Sequence, residues 1–218
     1  MTDPAHVRSY ALGAVDFREV LRYAACREDS GEVLDLARWA AGTAAPVLRP
    51  AVCWRELTVR TDGETVFLGP LQIRSRALSR NLRDCENAVL FAATVGLGLD
   101  RQIARYGRLS PAKGLLLQAL GAERIEALCD AFQADVEAHR GPTRPRFSPG
   151  YGDFPLETQR EIFSLLGCAG KIGLYLNESL LMSPTKSVTA VIGLGGGACT
   201  VQGCRTCGKQ DCTFRRTT

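Results

Sequence analysis

Apolar residues recur at helical spacing over Val15–Cys26 and again over Val33–Ala41, which predicts two helices. Asp16 is placed to cap the first, and Gly42 to end the second. The period then changes. Trp54–Ile73 alternates on both sides of Asp62-Gly63, which predicts a β-hairpin closed by a tight turn. Ser75–Asp84 is polar and basic and reads as a helix. Ala88–Thr94 is a short unbroken apolar run, the pattern of a strand buried on both faces. It stops at Gly96-Leu97-Gly98, and a helix begins over Leu99–Tyr106. That glycine pair lacks the third glycine and the lysine-serine ending of a phosphate loop, so a plain strand-to-helix turn is expected.

Pro111–His139 reads as a long helix, with Gly121 as the place where it would break. Leu115, Leu120, Ile125, Leu128, Phe132 and Val136 mark its core face, and Asp130, Asp135 and Glu137 read as solvated. Arg146-Phe147-Ser148-Pro149-Gly150-Tyr151-Gly152 follows. Proline fixes φ and glycine frees it, so this segment is expected to hold one defined path. That path is expected either to present a charge, a ring and backbone amides to a ligand or to serve as a rigid connection from a helix to the next element. Leu156–Leu166 predicts a helix, Lys171–Gly173 a linker, Ser187–Ile192 a strand and Gly193–Gly197 a hinge. The order of elements fits α+β rather than a regular βα alternation. Two units are expected, a domain over 1–195 and a cysteine-rich tail over 196–218.

Composition narrows the function. The chain has 218 residues, 45% hydrophobic and 23% charged, as in an ordinary soluble protein. A formal charge of +4 is carried by scattered basic residues, with no aromatic-basic stripe for nucleic acid. No apolar stretch is long enough to span a membrane and no signal peptide is evident, so a cytoplasmic setting is expected. There the nine cysteines should be mostly reduced. Two histidines argue against Ser-His-Asp or Cys-His catalysis. Cys199, Cys204, Cys207 and Cys212 are spaced to surround one metal or one cluster. Zinc and iron–sulfur both fit the spacing, and a disordered tail of redox-labile thiols is the alternative.

The stretch from Arg146 to Ile192 resembles the activation (reactivation) domain of cobalamin-dependent methionine synthase. The family's Arg-Pro-Ala-Pro-Gly-Tyr loop stands here as Arg146-Phe147-Ser148-Pro149-Gly150-Tyr151. Its Thr-Glu-Ser, Met-x-Pro and Ser-Val-Ser motifs stand as Asn177-Glu178-Ser179, Met182-Ser183-Pro184 and Ser187-Val188-Thr189, in the same order. The resemblance implies an antiparallel or mixed twisted sheet with flanking helices. It also implies S-adenosylmethionine as ligand, bound through Arg146, Ser148, Tyr151 and Asp16, with Glu178 and Ser179 facing a cobalamin. The family's aromatic residues after Ser-Val-Ser are replaced by Val191, Ile192 and Gly193, and Gly152-Asp153-Phe154-Pro155 replaces Pro-Ala-Cys-Pro.

No Asp-x-His-x-x-Gly cobalamin motif is present in these residues. The implied role is therefore reactivation in trans of a partner that holds cobalamin, a methionine synthase or a related corrinoid protein. The partner's cob(II)alamin would be reductively methylated, and the electron would come from a flavodoxin- or ferredoxin-type donor or be relayed by the tail cysteines. The other expectation is a non-catalytic metal-binding adaptor that docks on a corrinoid protein.

Overall fold

The computed structural model describes residues 4–26 and 31–195. In chain order the elements are β1 (His6–Ser9), α1 (Phe17–Tyr23), α2 (Gly31–Ala44), β2 (Ala51–Asp62), β3 (Thr65–Leu68), β4 (Leu71–Arg74) and α3 (Arg76–Asn81). Then come β5 (Asn87–Thr94), α4 (Leu97–Leu109), α5 (Pro111–Arg140), α6 (Gln159–Leu166) and α7 (Cys168–Ile172). The chain continues with β6 (Tyr175–Leu176), β7 (Met182–Ser183) and β8 (Ser187–Leu194). The main sheet runs β4-β3-β2-β5-β8, with β1 also paired to β2, and β6 and β7 form a separate two-stranded ribbon. All its ladders are antiparallel. The fold class is α+β, as the order of elements predicts.

Side chains on a strand alternate between faces, and here that alternation builds two cores. Val89, Phe91 and Ala93 of β5 join Val52 of β2 and Ala190 and Ile192 of β8 under α1, α2, α4 and α5. Their neighbours Ala88, Leu90 and Ala92 join Cys53, Leu57 and Val191 on the other face, under α3, α6 and α7. Seven of the eight residues of β5 are therefore buried, as the unbroken apolar run requires. Burial of a side chain of this size contributes roughly 1.5–3 kcal/mol, so the sheet's centre is held from both sides.

Several boundaries differ from the sequence expectations. The hairpin turn is Gly63-Glu64, because Asp62 still pairs with Thr65 and Gly63 takes φ 58° at the first turn position. A second two-residue turn at Gly69-Pro70 makes β2-β3-β4 a three-stranded meander. α2 continues through Gly42 to a buried Ala44. α5 is unbroken at Gly121, where the missing Cβ lets Leu99 and Lys186 pack against the helix. Packing here outweighs the helix cost of glycine, ~1 kcal/mol. Leu115, assigned to its core face, is exposed. The expected linker Lys171–Gly173 overlaps α7, whose first residue Cys168 is buried. Gly193 belongs to β8 rather than to a hinge, in a position where a Cβ would meet Cys85, Leu82 and Arg144. Leu194 closes β8 and Gly195 follows it at φ 78°, while Gly196, Gly197 and the four tail cysteines lie outside the described residues. Among the described residues no helix is long and apolar enough to cross a membrane.

Candidate functional site

The chain leaves α5 through Gly141 and runs along the outer edge of β8. The Arg144 amide donates to Gly193 at 2.8 Å, and Phe147 and Val191 exchange amide-to-carbonyl bonds of 3.0 and 2.9 Å. The backbone then turns sharply. The Tyr151 amide donates to the Ser148 carbonyl at 3.1 Å and Gly150, at φ 85°, donates to Phe154 at 2.8 Å. The left-handed φ is what calls for glycine there. Asp153 anchors the turn. Its carboxylate accepts from the Ser75 hydroxyl at 2.5 Å and from the amides of Arg76 and Ala77 at 2.9 and 3.0 Å, at the start of α3. The Ser75 bond and the Ala77 amide hold its pKa down at about 2. The loop is thus fixed at both ends, by β8 and by α3.

Alternation along this extended run sends Arg146 and Phe147 to opposite sides of the sheet edge. Arg146 reaches α5. One guanidinium nitrogen lies 2.7 Å from Asp130 and 3.2 Å from Gln133, and the other lies 3.1 Å from Glu126. Gln133 also donates to Thr143 at 2.8 Å, and the Thr143 hydroxyl donates to Glu137 at 2.5 Å. Glu126, Asp130, Gln133 and Glu137 form one polar stripe at helical spacing along α5. Arg146 is 21% exposed and Asp130 59%, so the cluster opens to solvent through Asp130. Burial alone would lower the Arg146 pKa, but the surroundings, with Asp130 and Glu126 among them, raise it, and the cation is secure. Cys129 beneath it is pushed up to about 12 by burial and stays a neutral thiol. One cation faces two carboxylates and a neutral amide, an arrangement that can receive both ends of an α-amino acid.

Asp16 comes to the same helix. It caps α1 through the amides of Arg18 and Glu19, and its own amide donates to Glu123 at 3.1 Å. Glu123 is paired with Arg124, which also donates to the Gly13 and Ala14 carbonyls at 2.8 and 3.0 Å, and both side chains are buried. Asp16 and Arg146 therefore approach α5 at positions three residues apart, Glu123 and Glu126. The Tyr151 ring is exposed and lies edge-on to Phe147, with centroids 5.5 Å apart, on the side of the second core. Ser148 supplies its carbonyl to the turn. Glu178 and Ser179 are exposed in the turn between β6 and β7, where the Glu178 carbonyl accepts from Arg160 of α6 at 2.7 Å. The structure thus gathers Arg146 and Asp16 on α5, and leaves Tyr151, Glu178 and Ser179 on other surfaces. Val191, Ile192 and Gly193, which stand where the resemblance expects aromatic rings, are buried strand residues.

The polar stripe is not among the features that the sequence pattern singles out. It was visible as Glu126, Asp130, Gln133 and Glu137 recurring every three or four residues, but Asp130 and Glu137 read as solvated. The Gly96-x-Gly98 turn is explained by packing: Gly96 has φ 92° beside Arg49, and a Cβ on Gly98 would lie 2.5 Å from the Val47 carbonyl. Among the described residues no group of three or more His, Cys, Asp or Glu is arranged to hold a metal.

No protein-family profile matches the chain, and no curated protein matches it. Among solved structures, 13 chains match. One is the crystal structure of the MetH reactivation domain bound to AdoHcy, with a TM-score of 0.65 and 16% identity, over 87% of this chain and 78% of that one. At this identity the likeness establishes the fold: an α+β domain with an antiparallel sheet and flanking helices.

Proposed function

We propose that this chain binds S-adenosylmethionine, or its demethylated product, by the amino-acid end at the Arg146 cluster, in a reactivation-type role toward a cobalamin held outside these 218 residues. The observation that carries this reading is the setting of Arg146 among Asp130, Gln133 and Glu126. A guanidinium takes a carboxylate by charge-assisted hydrogen bonds, and a carboxylate takes an ammonium in the same way. Arg146 would bind the ligand carboxylate, with Asp130, Glu126 and the nearby Asp16 available to the amine. A ligand that runs from Arg146 over the loop to the side of the second core would meet the Ser148 backbone and Tyr151 there, with Glu178 and Ser179 facing the corrin. A structural neighbour whose crystal structure holds AdoHcy supports the ligand class. In this role the sulfonium would supply a methyl group to a partner's cobalamin, with one electron from a flavodoxin- or ferredoxin-type donor or the tail cysteines, and this chain's residues would hold and orient the methyl donor. The four cysteines Cys199, Cys204, Cys207 and Cys212 would hold zinc or an iron–sulfur cluster in the tail, and metal content decides between them.

Calorimetric titration tests the proposal. S-adenosylmethionine should bind the wild type, and Arg146→Ala should weaken it at least tenfold, about 1.4 kcal/mol, with an unchanged circular dichroism spectrum. Equal affinity in the two proteins would remove Arg146 from the site. The adaptor reading is favoured by one observation, the burial of Val191, Ile192 and Gly193 where an aromatic ligand contact is expected, and it predicts no binding by the wild type.

A further inference from the structure

Cys53 in β2 and Cys168 at the start of α7 are 115 positions apart in the chain, and their Sγ atoms are 3.8 Å apart. Both are free thiols and fully buried in the second core, on the other side of the sheet from α5. Among the described residues no other two thiols are in hydrogen-bond contact, and the proposed ligand site uses neither. The surroundings favour movement of one partner. α7 is five residues long and is bracketed by Gly167 and Gly173, both left-handed at φ 64° and 63°, while Ala169, Gly170 and Lys171 face solvent. A short segment of this kind opens locally at lower cost than a core strand such as β2. A small displacement brings the two sulfurs from contact to the bonding distance of about 2.05 Å.

We propose that Cys53 and Cys168 form a dithiol site that closes to a disulfide on reaction with a small-molecule disulfide. The Cys53 thiolate attacks one sulfur of the reagent and expels the other as a thiolate. The Cys168 thiolate then attacks the Cys53 side of the mixed disulfide and expels the second. The protein gives up two electrons and two thiol protons, and the reagent leaves as two thiols. The order of attack follows from the contact between them. The contact with Cys168 pulls the Cys53 thiol down, with Lys171 adding to the effect, and the same contact together with burial pushes Cys168 up. The bond would staple α7 to β2 and, through α7, restrain the layer of α6 and the β6–β7 ribbon that carries Glu178.

The test treats the reduced full chain with graded oxidised glutathione, then quenches with denaturant and N-ethylmaleimide, digests it and maps every cysteine. The expected result is a Cys53–Cys168 linked peptide that forms alongside any reaction of Cys26, Cys85 and the tail cysteines. Dithiothreitol should reverse it, Cys53→Ser or Cys168→Ser should each abolish it, and the linked form should have a higher urea midpoint. The wild-type map alone decides if the serine variants fold poorly. Maleimide on both residues after glutathione has modified the other cysteines would overturn the proposal, as would Cys53 or Cys168 linked to any other cysteine.

Discussion

Asp153 takes three donors from the beginning of α3 and so ties the 146–152 loop to the rest of the molecule. Its pKa of about 2 lies below that of an unfolded aspartate, about 3.9. A carboxyl with a depressed folded pKa contributes stability that is present above the unfolded pKa and is lost as the pH falls through the folded one. The window here is pH 4 to 2. In Asp153→Asn the urea midpoint should change less steeply with pH across that window than in the wild type, and it should be lower at neutral pH. Parallel curves for the two proteins would show that Asp153 is an ordinary exposed carboxyl. Arg146 and Tyr151 stood out in the sequence because proline and glycine around them fix a path. Asp153 did not, since the partner that gives it meaning, Ser75, is 78 residues away. The same holds for Arg146 and Glu126, whose pairing depends on how a loop returns to a helix.

Two glycines in α4 show how an element's context sets the sign of a substitution. A Cβ on Gly98 would lie 2.5 Å from the Val47 carbonyl oxygen, a backbone atom that cannot move aside cheaply. Gly107 has open space at the same point. Gly98→Ala should therefore destabilise the protein by roughly 1–3 kcal/mol through overpacking. Gly107→Ala should be neutral or gain up to about 1 kcal/mol from helix propensity. Urea denaturation of both variants checks the pair, and a stabilising Gly98→Ala would contradict the close approach of α4 to the Ala45–Val47 turn. Elements with a clear local pattern were legible in the sequence: α1 with its Asp16 cap, α5 and α6 by period, β8 by alternation, α3 by its polar and basic run and β5 by its unbroken apolar run. Those that depend on distant partners were not. β1 is four exposed residues that form a strand only because β2 offers an edge, and α7 is too short to show a period. Gly121 and Gly42 read as breaks because glycine disfavours helix, yet α5 and α2 run through both.

At the scale of the whole molecule, α5 acts as a common reference for parts of the chain that are far apart. It covers one face of the sheet, receives the α1 cap through Glu123, and receives the loop on β8 through Glu126, Asp130 and Gln133. That convergence sets one guanidinium and several carboxylates at the margin of the sheet, where a zwitterion can be read at both ends. On the function proposed above, this margin recognises the amino-acid end of an adenosyl thioether or sulfonium. Parallel calorimetric titrations of the wild type with S-adenosylhomocysteine and with methylthioadenosine, which shares the nucleoside but lacks the amino acid, test it most directly. The first should bind measurably and the second at least tenfold more weakly. Equal affinity for the two, or binding of neither, would contradict it.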